Sequence, residues 1–264
     1  MNDIQIDIAR NGSLGGVAAV TMNRAEVHNA FNEDVIAGLT DAFRSLGENP
    51  DVRVILLRGA GKSFSAGADL GWMKRMAAYS HEENVQDAMG LATMLRTIDE
   101  CPKPTIAVVQ GPAFGGGVGL VSACDIAIAA DTATFALTEV RLGLIPAVIS
   151  PFVVAAMGER ACRRYFLTGE RFSAAEALRH GLLHQTVQAA ELDACVEVMV
   201  RNLLSCGPAS QTAAKELIRA VARRPLDDAL ARDTAERIAR QRASDEGKEG
   251  VGAFLEKREP AWRG

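Results

Sequence analysis

The chain has 264 residues, 48% of them hydrophobic, and a formal net charge of −4. That length allows one large domain or two small ones around a substantial core, and the acidic balance counts against nucleic-acid binding, which needs a basic surface. No apolar run reaches the roughly 18–20 residues that span a bilayer, and the N-terminus carries no signal-peptide pattern, so no membrane is expected and a cytoplasmic protein is.

In chain order, Ile4–Ala9 and Gly16–Met22 predict a hairpin, with Asn11-Gly12 supplying the turn. Asn32 caps a helix through Leu46 whose Val35, Ile36, Leu39 and Phe43 share one face. A strand at Val52–Leu57 is followed by helices near Leu70–Met76 and from about Glu82 to Asp99. Thr105–Val109, Asp125–Ala130 and Thr134–Ala136 read as further strands. From about Asp193 the pattern is helical: Asp193–Leu204, Ser210–Ala222, Leu226–Arg242 and Ser244–Glu256, punctuated by Pro208 and Pro225. Alternation followed by a helical tail predicts an α/β core over 1–192 and a C-terminal helical segment over 193–264.

The cysteines (Cys101, Cys124, Cys162, Cys195 and Cys206) are odd in number and form no CxxC pair. They read as reduced core thiols rather than disulfides or metal ligands. His180 and His184 stand four apart, but Gly181 and the β-like run after it argue against a shared helix face, and no metal site is expected.

Two glycine-bearing stretches follow buried-strand runs: Ser63-Phe64-Ser65-Ala66-Gly67-Ala68-Asp69-Leu70 and Gly111-Pro112-Ala113-Phe114-Gly115-Gly116-Gly117-Val118. Glycine at such a junction permits positive φ and lets backbone N–H groups approach a bound atom. Two N–H groups from two such turns would form an oxyanion hole for an acyl carbonyl. The second stretch fits neither a dinucleotide fingerprint, since Leu120 stands at its last position, nor a P-loop. Tight packing of a helix on its strand is the alternative reading of those glycines.

These stretches resemble the enoyl-CoA hydratase/isomerase, or crotonase, family. So do Asn23-Arg24 through Asn29-Ala30, Ala123-Cys124-Asp125, Phe135 to Gly143, and Lys248-Glu249-Gly250 to Glu256-Lys257-Arg258, in the family's order over nearly the whole chain. The resemblance implies the ClpP/crotonase-like α/β fold, with stacked β-β-α units and a C-terminal trimerisation segment. It implies backbone oxyanion donors at Ala66 and Gly116 and a general acid/base at Glu139, which Leu137, Val140, Leu142 and Leu144 would desolvate. The family's other glutamate would stand two residues after Gly117, where this chain has Gly119. One base can isomerise an enoyl thioester or activate water for addition, so both reactions stay open.

Gly119 together with Ile145-Pro146-Ala147-Val148-Ile149-Ser150-Pro151-Phe152 resembles the methylglutaconyl-CoA hydratase branch, whose substrates carry a 3-methyl group and a distal carboxylate. Arg75, Lys74 and Arg141 are the unranked candidates to meet that carboxylate, with a solvated surface charge as the alternative reading of each. Coenzyme A is implied only as part of the thioester substrate, with no separate cofactor. It is expected along Arg24, Val27, His28, Ala66, Ala68, Asp69 and Leu70, with Phe254 and Lys257 reaching it in the same or a neighbouring subunit. A homotrimer, or a hexamer of two trimers, is the implied assembly. An enzyme is expected; a catalytically weak CoA- or RNA-binding relative is the contrasting class.

Overall fold

Aliphatic runs form the strands because their alternate side chains can be buried on two opposite faces at once. The structure is a computed structural model describing residues 3–9 and 16–263, so the expected Asn11-Gly12 turn lies outside the described residues. The strands are β1 (Ile4–Ala9), β2 (Val17–Met22), β3 (Val54–Gly59), β4 (Thr105–Val109), β5 (Ala113–Phe114), β6 (Ile126–Ala130), β7 (Thr134–Ala136), β8 (Arg171–Ser173) and β9 (Gln185–Val187). One sheet runs β1-β2-β3-β4-β6-β9, antiparallel between its first two strands and parallel thereafter. A small second sheet, β5-β7-β8, stands beside it.

The helices are α1 (Glu33–Glu48), α2 (Leu70–Met76), α3 (His81–Asp99), α4 (Gly116–Ala123), α5 (Ser150–Thr168), α6 (Ala174–Arg179), α7 (Leu192–Leu204), α8 (Pro208–Val221), α9 (Asp228–Ala243) and α10 (Asp245–Glu256). Ile55, Leu57, Ala107 and Val109 point to one face of the large sheet, where Leu39, Phe43, Leu95 and Ile98 from α1 and α3 bury them. Val54, Leu56, Ile106, Val108 and Ile128 point to the other face, which α7 closes with Leu192, Val196 and Val200.

Capping sets several boundaries. Asn32 accepts the Val35 N–H at the start of α1, and Ser80 and Glu83 form a capping box that opens α3. Helix α8 is fastened to the core by Lys215, whose Nζ lies 2.6 Å from Asp125 Oδ2. The same oxygen accepts from the N–H and hydroxyl of Thr105.

Some boundaries differ from the sequence reading. Leu226 is 97% exposed and precedes α9, which starts at Asp228 because Asp227 caps it. The strand read as Val52–Leu57 is β3, two residues later. Helices α5 and α6 went unread: Gly158, at φ +74°, breaks α5, and clustered arginines obscure its apolar stripe. The cysteines divide by position, with Cys101, Cys124 and Cys162 in the core, Cys195 half-buried and Cys206 exposed, so the last is not a core thiol.

Candidate active site

Both glycine turns leave the C-terminal ends of neighbouring strands β3 and β4, which explains why residues some fifty positions apart meet. They are stitched together by an Phe114 N–H donated to Ser65 O at 2.9 Å and by a parallel bridge between Ser65 and Ala113. Gly67 (φ +88°) and Gly115 (φ +51°) both take left-handed backbone that other residues adopt at a cost. A Cβ on Gly67 would stand 3.1 Å from Phe114 O, and one on Gly117 would stand 2.7 Å from Ser65 O. The packing reading of these glycines therefore holds, and it is what brings the two turns into contact.

The amides at this junction separate into engaged and free. The Ala66 N–H, expected to be an oxyanion donor, is already given to His28 O at 2.9 Å. Among the described residues, the N–H groups of Ala68 and Gly116 donate to nothing. Gly116 opens α4, whose first-turn N–H groups have no intrahelical acceptor and stand at the positive end of the helix dipole. The assignment of Ala66 is corrected accordingly: its amide holds the turn, and the available donors are Ala68 and Gly116. The sequence signal for this was the Gly67 turn, which redirects the chain between the two alanines.

Glu139 begins a short 3-10 turn, Glu139–Leu142, after β7. A Cβ on Gly115 would lie 3.1 Å from Glu139 Oε1, so the carboxylate rests directly over the N-cap of α4. Its Oε2 is buried and has no hydrogen-bond partner. Burial pushes the carboxyl above its ordinary range, with only a backbone hydrogen bond opposing. The flanks expected to desolvate it do so only in part. Leu137 is buried, but Leu142 and Leu144 are 60% and 52% exposed, and the covering comes from the glycine turn instead.

Gly119 lies in the middle of α4, fully buried. A Cβ there would collide with Ile149 Cγ2, stand 2.9 Å from Ile149 Cβ, and lie 3.7 Å from Leu95 Cδ1. Ile149, at the N-cap of α5 and 3% exposed, thus occupies the space a side chain at 119 would need. No carboxylate or other side chain acts from position 119.

The segment expected to receive coenzyme A is laced together by Arg24. Its guanidinium donates to Ala30 O at 2.7 Å and to Asp69 Oδ2 at 3.1 Å, and lies 3.4 Å from Asp3. Asp69 also caps α2 through the Gly71 and Trp72 N–H groups. Burial alone would raise the Asp69 carboxyl, but hydrogen bonds from Trp72, Gly71 and Arg24 outweigh it and hold it below the usual range. Arg24, expected along the coenzyme A path, is therefore an internal clamp joining the two segments.

His28 adopts φ +55°, pairs its Nδ1 with Ser63 Oγ at 3.0 Å, and presents its carbonyl to Ala66. Val27, Ala66, Ala68 and Leu70 are exposed around this clamp. Phe254, 81% exposed, and Lys257, the C-cap of α10, sit on a helix that packs against α8 and α9. Of the three cations considered for a distal carboxylate, Arg75 is taken by Glu33 at 2.6 Å. Arg141 lies against Gly169.

Comparison with known proteins places this geometry. The enoyl-CoA hydratase/isomerase family profile matches residues 12–264. A crystal structure of an enoyl-CoA hydratase from Shewanella pealeana superposes with a TM-score of 0.94 at 44% identity, covering 98% of this chain and 96% of that one. A Legionella pneumophila structure, assigned as an enoyl-CoA hydratase/isomerase (crotonase), gives 0.92 at 43% identity over 99% of both chains. A Thermus thermophilus protein assigned as an enoyl-CoA hydratase is 35% identical over 246 residues, 93% of this chain and 97% of its own length. This chain is an enzyme of the enoyl-CoA hydratase/isomerase family, built on the crotonase fold.

Proposed function

We propose that the protein adds water to a short, branched 2-enoyl-CoA, or removes it in reverse, with Glu139 as its general base. The observation that carries this reading is the buried Glu139 carboxylate, unpaired at Oε2, set over Gly115 beside two unengaged amides. The thioester carbonyl accepts from the Ala68 and Gly116 N–H groups, which stabilise the enolate oxygen as charge develops. Glu139 takes a proton from water while the oxygen attacks C3, and a proton then reaches C2 from Glu139 or a second water. Desolvation suits the carboxylate to this task by raising its basicity above that of an ordinary carboxylate. Coenzyme A arrives as part of the substrate along 24–30 and 66–70, and the reading requires no separate cofactor.

The apolar wall of Ile149 and Leu95 over Gly119 supports a branched acyl group, because it replaces a carboxylate with methyl and methylene surface. Lys74 and Arg141, neither held in an ion pair among the described residues, are the candidates for a distal carboxylate such as that of 3-methylglutaconyl-CoA. The same wall favours a second reading, in which Glu139 alone moves a proton and converts a 3-enoyl to a 2-enoyl thioester. Assay of 2-enoyl and 3-enoyl thioesters in ¹⁸O-labelled water separates them. Label entering the product supports hydration, whereas double-bond migration without label replaces it with isomerisation. We further propose the trimeric or hexameric assembly of this segment order, with Phe254 and Lys257 serving a neighbouring protomer.

A further inference from the structure

Outside the glycine turns, a cluster of arginines lies where the second half of α5 meets the end of α6. Arg160, Arg163 and Arg164 recur at i, i+3 and i+4, which places all three on one face of α5. Arg179, in the last turn of α6, and His180, its C-cap, face them across a cavity of about 500 Å³. Its floor is apolar, made of the buried Met157 and Ala161. Only Arg164 has acidic company, with Nε 2.6 Å from Glu170 and NH1 3.9 Å from Glu176, and its guanidinium also lies over the Tyr165 ring. Among the described residues, the side chains of Arg160, Arg163 and Arg179 form no hydrogen bond or ion pair.

Like charges at helical spacing repel, and among the described residues Arg160, Arg163 and Arg179 have no acidic partner to offset it. Guanidinium groups present planar forks that match phosphate oxygens two at a time and also stack on flat rings. The volume falls within the roughly 300–1,000 Å³ range of small-molecule pockets, and an apolar floor under a cationic rim suits a ligand that is itself apolar at one end and anionic at the other. We propose that this pocket binds a nucleoside diphosphate, its phosphates held by Arg160, Arg163 and Arg179 and its base over Met157 and Ala161. None of these residues belongs to the glycine turns or the Glu139 segment, so the proposal stands independently of the reaction assigned above.

The test is isothermal titration of the full-length protein with ADP, adenosine and inorganic pyrophosphate, repeated with saturating acetyl-CoA. ADP is expected to bind with acetyl-CoA present, to weaken as salt rises, and to lose at least tenfold in affinity in R160Q/R163Q/R179Q. Those side chains are exposed and unpaired, so circular dichroism should show that variant folded. Arg24→Met should leave ADP binding unchanged. The proposal is overturned if ADP gives no signal, if acetyl-CoA abolishes it, or if the triple variant binds equally well. Pyrophosphate binding as tightly as ADP would refute the nucleoside part and leave a phosphate site; adenosine binding alone would refute the role of the arginines.

Discussion

Glu139 is where residue-scale energetics and chemistry oppose each other. A buried oxygen without a partner costs about 1–3 kcal/mol, and this one, Glu139 Oε2, is retained beside the two free amides. Glu139→Gln should lower kcat by roughly 10²–10⁴ while raising the melting temperature slightly at pH 7, as followed by steady-state assay and thermal denaturation. The sign follows from linkage. The folded-state carboxyl is raised above its unfolded value, so the native protein holds a proton that the unfolded chain has released. The wild type therefore loses stability as pH rises from the ordinary carboxylate range through the raised folded-state pKa, and the glutamine variant should lack that loss. Catalysis runs the other way, with kcat/KM falling as pH drops through the same raised pKa because the base becomes protonated.

Gly116 is a poorer target for substitution, because any Cβ there would stand 2.5 Å from Phe31 Cε2 and would alter packing together with the donor. The oxyanion donors are better read from the substrate side. Vibrational difference spectra of a bound enoyl thioester should show its carbonyl stretch moved to lower frequency. An unshifted band would remove Ala68 and Gly116 from that role.

Among elements, the joint between the Arg24 segment and α2 determines how firmly the thioester platform is held. Arg24→Met frees Asp69 from the guanidinium that donates to it while the cap to α2 remains. The expected result is a KM raised severalfold with kcat changed much less, together with a modest loss of stability; an unaltered KM would separate the clamp from substrate binding. At the crossing of α4 and α5, Gly119→Ala should destabilise by about 1–3 kcal/mol through overpacking. Ile149→Ala should recover part of that loss, giving a coupling of at least about 0.5 kcal/mol in a double-mutant cycle.

These elements also show what the sequence disclosed. Strand β4 and helix α2 were readable to the residue, because Thr105–Val109 is a run buried on both faces and Asp69 is a strong cap. Glu139 and Gly116 were singled out as candidates through their flanks. The choice between Ala66 and Ala68 was not, because it depends on where His28 O falls, a contact across 38 residues of chain. The clamp role of Arg24 was hidden for the same reason, its partner Asp69 being 45 residues away. Position 119 read only as a glycine in place of the family's other glutamate, and the approach of Ile149 from α5 is what shows the site to be closed.

At the scale of the whole molecule, the large sheet is covered on both faces, yet the C-terminal helices leave Ile218, Val251, Phe254 and Leu255 between 60% and 81% exposed. Val251, Phe254 and Leu255 recur at i, i+3 and i+4 on one face of α10, and an exposed apolar face of this kind favours self-association. Light scattering after size-exclusion chromatography should give a trimer or hexamer at micromolar concentration. Phe254→Asp should shift the mass toward the single chain, and a monomeric wild type would defeat the proposed assembly.

The closed site at position 119 also constrains how this chain could change over generations. A carboxylate introduced there first meets Cβ and Cγ2 of Ile149, two atoms that valine at 149 would retain. Even alanine keeps the Cβ, 2.9 Å from the added carbon. Shrinking residue 149 first leaves a cavity, and Ile→Ala changes in cores cost about 2–5 kcal/mol, a large share of a domain's total stability. Either order passes through a damaged intermediate, so the packing of one isoleucine on one glycine acts as a ratchet that keeps a lineage with a single carboxylate from returning to two.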